Sequence, residues 1–296
     1  MLAPCWFRAG SRLTPRSHER SRDFLMFSKA EFVAVSDIHL QHAGDDRSRV
    51  LVDIIDACTA AKVPCFALLG DIFDFCLGGG AYFRKKFSTI GERLESLAAG
   101  GTRVLFVEGN HEFKMNAMGW RGVEVVSETE SRRGLAWRSA SGARIVMTHG
   151  DLFHAPAAYL AFRRLIKSTP TLMAVSMVPG FLMDAYALRH AKVSRSRDPY
   201  RTLDEAAILD DARKFAVAQN ADHLLFGHFH MPWTVPIGAE RRHQRESLML
   251  CMNSWDKPNL LLFDGEGFHR GFCSGPGQPL VFSPARADHN SDLIPR

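Results

Sequence analysis

The stretch Phe32-Val33-Ala34-Val35-Ser36-Asp37-Ile38-His39 decides the fold. An apolar, β-prone run passes directly into Ser, Asp and His. The same change recurs along the chain. Phe66-Ala67-Leu68-Leu69 leads into Gly70-Asp71-Ile72-Phe73-Asp74, and Val104-Leu105-Phe106-Val107 into Glu108-Gly109-Asn110-His111-Glu112. Ile145-Val146-Met147 leads into Thr148-His149-Gly150-Asp151, and His223-Leu224-Leu225-Phe226 into Gly227-His228-Phe229-His230. Continuous apolar runs of this length read as strands buried on both faces. Helical stretches lie between them. Val50, Ile54, Ala57 and Cys58 share one face, as do Phe87, Ile90, Leu94 and Leu97. Strand, helix, strand in this rhythm predicts a parallel-rich α/β sheet. Ligands of such sheets bind at the carboxyl ends of the strands. All the polar clusters fall there, so the fold is expected to gather them at one edge.

The gathered set is Asp37, His39, Asp71, Asn110, His149, His228 and His230. It offers oxygen and nitrogen but no thiolate, which suits Mn, Fe or Zn. Seven groups exceed one tetrahedral site. They suit two divalent ions sharing a carboxylate, a centre that clamps both oxygens of an in-line phosphoryl displacement and lowers the pKa of water to about 7. Asp-x-His alone is a weak signal that also describes a capped turn. Asp74 has the same ambiguity: it can cap a helix or orient a ligand from behind. The ordered series, with each cluster closing a strand, carries the reading.

These residues resemble the motifs of the calcineurin-like metallophosphoesterases: D-x-H, G-D-x-x-D, G-N-H-[DE], a later H and G-H-x-H, spread over residues 31–265. The resemblance implies a sandwich of two β-sheets flanked by helices. It implies one metal on Asp37, His39, Asp71 and His230. A second would sit on Asp71, Asn110, His149 and His228, with Asp71 bridging. Asp71, Asn110 and His111 would be catalytic. His111 would stabilise the phosphoryl oxygens or protonate the leaving group.

An insert of about residues 152–215 separates His149 from His228. It holds Tyr159-Leu160-Ala161-Phe162-Arg163-Arg164-Leu165, then Leu172, Met173, Val175, Met177, Val178, Phe181, Leu182 and Met183, and then Arg189, Lys192, Arg195, Arg197 and Arg201. Its uncharged run is shorter than the about 20 residues a membrane span needs, and Pro179-Gly180 breaks it. Core helices are one reading. A helical lid, greasy inside and basic at its rim, is another. Such a lid would hold an apolar ligand or touch anionic lipid peripherally.

Ser36-Asp37-Ile38-His39-Leu40, Gly70-Asp71-Ile72-Phe73, His149-Gly150-Asp151, Phe162-Arg163-Arg164 and Asn253-Ser254-Trp255 in an expected late strand are similar to the LpxH-type UDP-2,3-diacylglucosamine diphosphatases of Gram-negative bacteria. That resemblance implies a nucleotide-activated glycolipid as substrate, manganese as the metal and lipid A synthesis as the setting. It makes Arg163, Arg164, Arg195 and Arg197 candidate substrate contacts, since guanidinium binds phosphate well. Two departures stand out. His111 occupies a position where that family usually has Arg. Its nucleotide-contacting Ser, Asn and Lys are unmatched between Arg189 and Arg201.

The 296 residues are 46% hydrophobic and 23% charged, an ordinary globular composition that excludes disordered, collagen-like and coiled-coil classes. A net charge of +5 fits an anionic partner. Nucleic acid is not expected, because the basic residues crowd into positions 1–29 and the end of the insert, without interleaved stacking aromatics. None of the six cysteines forms a C-x-x-C pair, and a reducing, cytoplasmic setting is expected. Residues 1–29 read as a basic disordered arm, an organelle transit peptide or a start placed before Met26. Residues 30–272 read as the phosphoesterase domain and 273–296 as a flexible tail.

Overall fold

The computed structural model describes residues 25–196, 203–238 and 246–287. The first sheet contains β1 (Phe32–Val35), β2 (Cys65–Leu68), β4 (Arg103–Val107), β6 (Val123–Val126), β12 (Asn259–Phe263), β13 (Phe268–Phe272) and β14 (Val281–Pro284), ordered β14-β13-β12-β1-β2-β4-β6. The second contains β7 (Leu135–Arg138), β8 (Arg144–Met147), β9 (His223–Phe226), β10 (Thr234–Pro236) and β11 (Leu248–Cys251), ordered β10-β11-β9-β8-β7. The runs read as buried strands are β1, β2, β4, β8 and β9. Within each sheet they pair in parallel. A small parallel pair, β3 (Cys76–Leu77) with β5 (Glu112–Phe113), sits beside the first sheet's carboxyl edge.

Strand alternation builds the layers. Phe32, Ala34, Ala67, Leu105 and Val107 of the first sheet meet Ile145, Met147, Leu225 and Leu250 of the second in one core. The alternate residues Val33, Val35, Phe66, Leu68, Val104 and Phe106 face outward, onto α2 (Asp46–Ala61) and α4 (Ser88–Ala99). On the far side, Val146, Leu224, Phe226 and Met249 meet Ile208, Ala212 and Ala216 of α9 (Glu205–Ala218). The result is helix, sheet, sheet, helix. Strands covered on both faces must be apolar throughout, which is why their sequences are continuous rather than alternating. The five cysteines among the described residues are free and buried.

Several boundaries differ from the sequence expectation. Helix α9 belongs to the core, not the insert, because Ile208, Ala212 and Ala216 recur every four residues and pack on β9 and β11. The expected loose tail contains β14, an edge strand paired with β13. Its prolines disguised it, and an edge strand tolerates them. The described part of α1, residues 25–29, joins the fold by setting Phe27 edge-on against Phe282 of β14. Residues 1–24 and 288–296 lie outside the described residues. Asn253-Ser254-Trp255 follows β11 as a connection rather than a strand, and Trp255 N–H donates to the Asp37 carbonyl at 3.3 Å.

Leu105→Ala empties space between the sheets and should lower unfolding free energy by about 2–5 kcal/mol. Val281→Ala, on the exposed edge strand, should stay within about 0.5 kcal/mol. Urea denaturation of both variants checks the assignment of the inter-sheet core.

Candidate metal centre

Each candidate ligand lies just past a strand end. Asp37 and His39 follow β1, Asp71 and Asp74 follow β2, and Asn110 and His111 follow β4. From the second sheet, His149 follows β8, while His228 and His230 follow β9. The turns are sharp. Asp37, His39, Asp71, His228 and His230 all have positive φ, between 52° and 71°. For residues other than Gly this left-handed conformation is uncommon, and it concentrates at functional sites. Two glycines permit the close approach. A Cβ on Gly227 would lie 2.2 Å from Asp37 Oδ2, and one on Gly109 would lie 2.3 Å from Asp71 Oδ1.

The structure brings all seven expected ligands into one cluster. Asp37, His39 and His230 form one triplet, and Asp71, His149 and His228 another; each could hold a metal ion. A third triplet, His39, Asp71 and His111, links the other two, sharing His39 with the first and Asp71 with the second. His230 Nε2 lies 3.4 Å from Asp37 Oδ1 and 3.4 Å from His39 Nε2. His149 Nε2 lies 3.4 Å from Asp71 Oδ2 and 3.0 Å from Asn110 Oδ1.

Outer contacts orient the rings. His149 Nδ1 bonds the Leu69 carbonyl at 2.9 Å, and His111 Nδ1 bonds the Asp74 carbonyl at 2.7 Å. His39 Nδ1 sits 3.6 Å from Asp74 Oδ1, beyond hydrogen-bond length. At His149 and His111, Nε2 is left for the centre, the arrangement that metal-binding histidines use. Ser36 Oγ donates to Asp37 Oδ2, and His228 N–H donates to Asp37 Oδ1.

Asp37 and Asp71 are 0% and 2% exposed. Burying two carboxylates is costly unless cations compensate. Burial works to raise the Asp71 carboxyl, but His149 and His111 outweigh it and hold it well below the usual carboxylate range. Burial pushes His39 down to about 3, and burial with His149 pushes His228 down to about 4. Both therefore stand as neutral imidazoles, the ligating form. Burial would lower His149, yet Asp71 drives it up to about 10. A divalent ion held by His149 would take the place of that proton. Burial opposes protonation of His111 as well, but Asp71 and the Asp74 carbonyl raise it above its ordinary value. The donor set fits two divalent ions.

A model of the calcineurin-like phosphoesterases matches residues 30–232. The chain belongs to that family. It is a hydrolase of the metallophosphoesterase type, and the family's divalent metal chemistry agrees with the cluster just described. Among curated relatives, a UDP-2,3-diacylglucosamine hydrolase of Neisseria gonorrhoeae is 24% identical over 79% of this chain and 94% of its own. One of Azotobacter vinelandii is 24% identical over 79% and 95%. Among solved structures, a dimetal phosphatase of Danio rerio aligns at TM-score 0.41 and 12% identity, covering 86% of this chain and 98% of its own. Vps29 of Entamoeba histolytica with zinc aligns at 0.42 and 12%, covering 86% and 99%.

The expected arginine contacts fare differently. Arg163 is 1% exposed and pairs through Nε with Asp151, so it is an internal strut rather than part of a solvent-facing rim. Arg164 is exposed on α6 (Ala157–Ile166). Arg197 and the Arg195 side chain lie outside the described residues. Sequence reasoning missed Glu112. Its Oε2 accepts from the amides of Asp71 and Gly109 at 2.9 and 2.8 Å, and its Oε1 from Phe73 at 3.1 Å. Burial, then Asp71, pushes this carboxyl up to about 7. Its place in G-N-H-E was the available signal.

Asp71→Ala should abolish turnover and sharply lower bound metal, read by metal analysis beside activity. Gly227→Ala should cost at least about 10-fold in metal affinity, because the new methyl displaces Asp37. Undiminished turnover with excess chelator present would sink the two-metal assignment.

Proposed function

We propose that the chain cleaves the pyrophosphate of UDP-2,3-diacylglucosamine, giving UMP and 2,3-diacylglucosamine 1-phosphate for lipid A synthesis. The observation that carries this reading is the apolar surface of the insert. Helices α6, α7 (Thr169–Ser176) and α8 (Gly180–Ser196) expose Phe162, Leu165, Met173, Met177, Phe181 and Leu182, with Met177 at 85% and Phe181 at 58%. The sequence expectation put the grease inside. Instead Leu172 is buried against the core, with Ile166 and Val175 packed beside it, and most of the large apolar side chains face out. So many exposed large apolar side chains on neighbouring helices favour a binding surface. The names of the curated relatives supply a substrate with acyl chains to match it.

In this reading Asp37, His39, Asp71 and His230 would hold one divalent ion and Asp71, Asn110, His149 and His228 a second, with Mn2+ the first candidate and Fe and Zn behind it. Such ions polarise a phosphoryl oxygen and lower the pKa of water. Asp71 draws both halves of the site together. Asn110 reaches the second half beside His149. His111, with Nδ1 fixed on the Asp74 carbonyl and Nε2 3.8 Å from Asp71 Oδ2, would donate to a phosphoryl oxygen or to the leaving group. A cavity of about 810 Å³ beside His228, lined by Phe153, Tyr159, Ile208 and Phe229, has room for part of a large substrate. No helix among the described residues is long and apolar enough to cross a membrane, and α7 and α8 bend by 110° at their break. The exposed patch, with Arg164 and Arg189 on the same helices, instead suits peripheral contact with anionic lipid at the cytoplasmic face.

A soluble nucleotide or other phosphodiester is the second reading, favoured by His111 standing where the diphosphatases usually carry Arg. UMP release from UDP-2,3-diacylglucosamine with Mn2+, absent from a chelated control, separates the two. Cleavage of a small diester without UMP release would remove the lipid substrate. Phe181→Asp should raise KM for the lipid about tenfold, the equivalent of losing roughly two buried methylenes, and leave a small chromogenic diester unaffected. Equal effects on both substrates would count against an acyl site at Phe181.

A further inference from the structure

Tyr159, Arg163 and Lys167 recur every four residues and so form one stripe along α6 and its C-cap. All three face the metal centre's supporting loops. The Tyr159 hydroxyl donates to Asp151 Oδ2 at 3.0 Å, and Arg163 Nε bonds the same oxygen. Asp151 lies two residues after His149, at the end of β8 in the second sheet. Lys167 Nζ donates to the carbonyls of Gly109 at 2.7 Å and Glu112 at 3.0 Å, over the Phe113 ring. Those carbonyls flank Asn110 and His111, at the end of β4 in the first sheet. One helix face is thus bonded to ligand loops of both sheets.

The Gly109 carbonyl belongs to the peptide that carries the Asn110 N–H. Holding that oxygen sets the plane from which Asn110 and His111 depart. The Glu112 carboxylate grips the Gly109 amide of the same loop. The loop is therefore clamped through its backbone from two sides, by Glu112 and by Lys167. The far end of the insert is anchored separately. Asp184 of α8 is buried and accepts from Lys86 Nζ at 2.6 Å and the Tyr82 hydroxyl at 2.8 Å.

We propose that Lys167 is a positioning residue of the hydrolytic site, acting through the Gly109 and Glu112 carbonyls to set Asn110 and His111, so that α6 is a structural member of the metal centre as well as a cover. This rests on the hydrolase chemistry of the family and not on the lipid substrate. The test therefore uses a small chromogenic diester, which is too short to need the insert.

Lys167→Met keeps the aliphatic stem and removes the donors. It should lower kcat for the diester and the affinity for Mn2+, measured by chelator competition, by about 10–100-fold, the usual effect of losing a group that orients metal ligands. KM should change little. Lys167→Arg should restore most of both, because it regains charged donors. Tyr82→Phe loosens the insert only at α8 and should leave both readouts at wild-type values. Lys167→Gln carries the same test if the Met variant melts early. Wild-type Mn2+ affinity and diester kcat in Lys167→Met or Lys167→Gln would overturn the proposal and reduce Lys167 to an anchor for the insert.

Discussion

The Asp71 carboxylate is the constraint on which the centre depends. It is buried, it is shared by two of the three candidate metal triplets, and both of its oxygens are engaged. Oδ1 accepts the His111 amide at 3.1 Å, and Oδ2 faces His149 at 3.4 Å. Its own amide donates to Glu112. A buried anion in this position needs positive charge around it. The histidines supply part of that, and divalent ions held at the centre would supply more. The packing of the two sheets can be read as the means of bringing β2, β4 and β8 close enough for one carboxylate to meet groups from all three.

That convergence carries a local cost. Five of the candidate ligands adopt left-handed backbone conformations, each worth about 1–3 kcal/mol of strain. Asp and His tolerate the conformation better than branched residues do. The continuous strands behind them, apolar on both faces, offset the strain by burying Phe32, Leu105, Leu225 and their neighbours completely. Rigid strands followed at once by strained turns leave the ligands little freedom. This suits a centre that must hold its geometry before metal and substrate arrive.

The insert combines two opposite surfaces. Its inner stripe is polar and bonded: Tyr159, Arg163 and Lys167 reach the ligand loops, and Asp184 reaches Lys86. Its outer surface is apolar and exposed at Phe162, Met177 and Phe181. A soluble helix pair packed for stability alone would reverse this arrangement. Polar side chains tie the insert to the loops of the candidate centre, Leu172 packs on the core, and other large apolar side chains of the insert stand exposed.

The sequence by itself determined the five strands, their parallel pairing within the sheets and the seven groups at their carboxyl ends. Each of these rests on local pattern: an apolar run, then Asp, His or Asn, repeated in a fixed order. Only the tertiary structure decided the rest. Arg163 looked like a phosphate contact because Phe162-Arg163-Arg164 resembles the diphosphatase motif, and its burial goes with its pairing to Asp151, twelve residues earlier in the chain. Ile208 and Ala212 looked like part of the insert until β9 and β11 came to lie under them. Strand β14 was hidden by its prolines, because edge pairing needs no alternation and few donors. The left-handed turns and the grip of Lys167 on the Gly109 carbonyl leave no local trace either. They are set by backbone atoms brought together from distant positions, and backbone atoms are the same in every sequence.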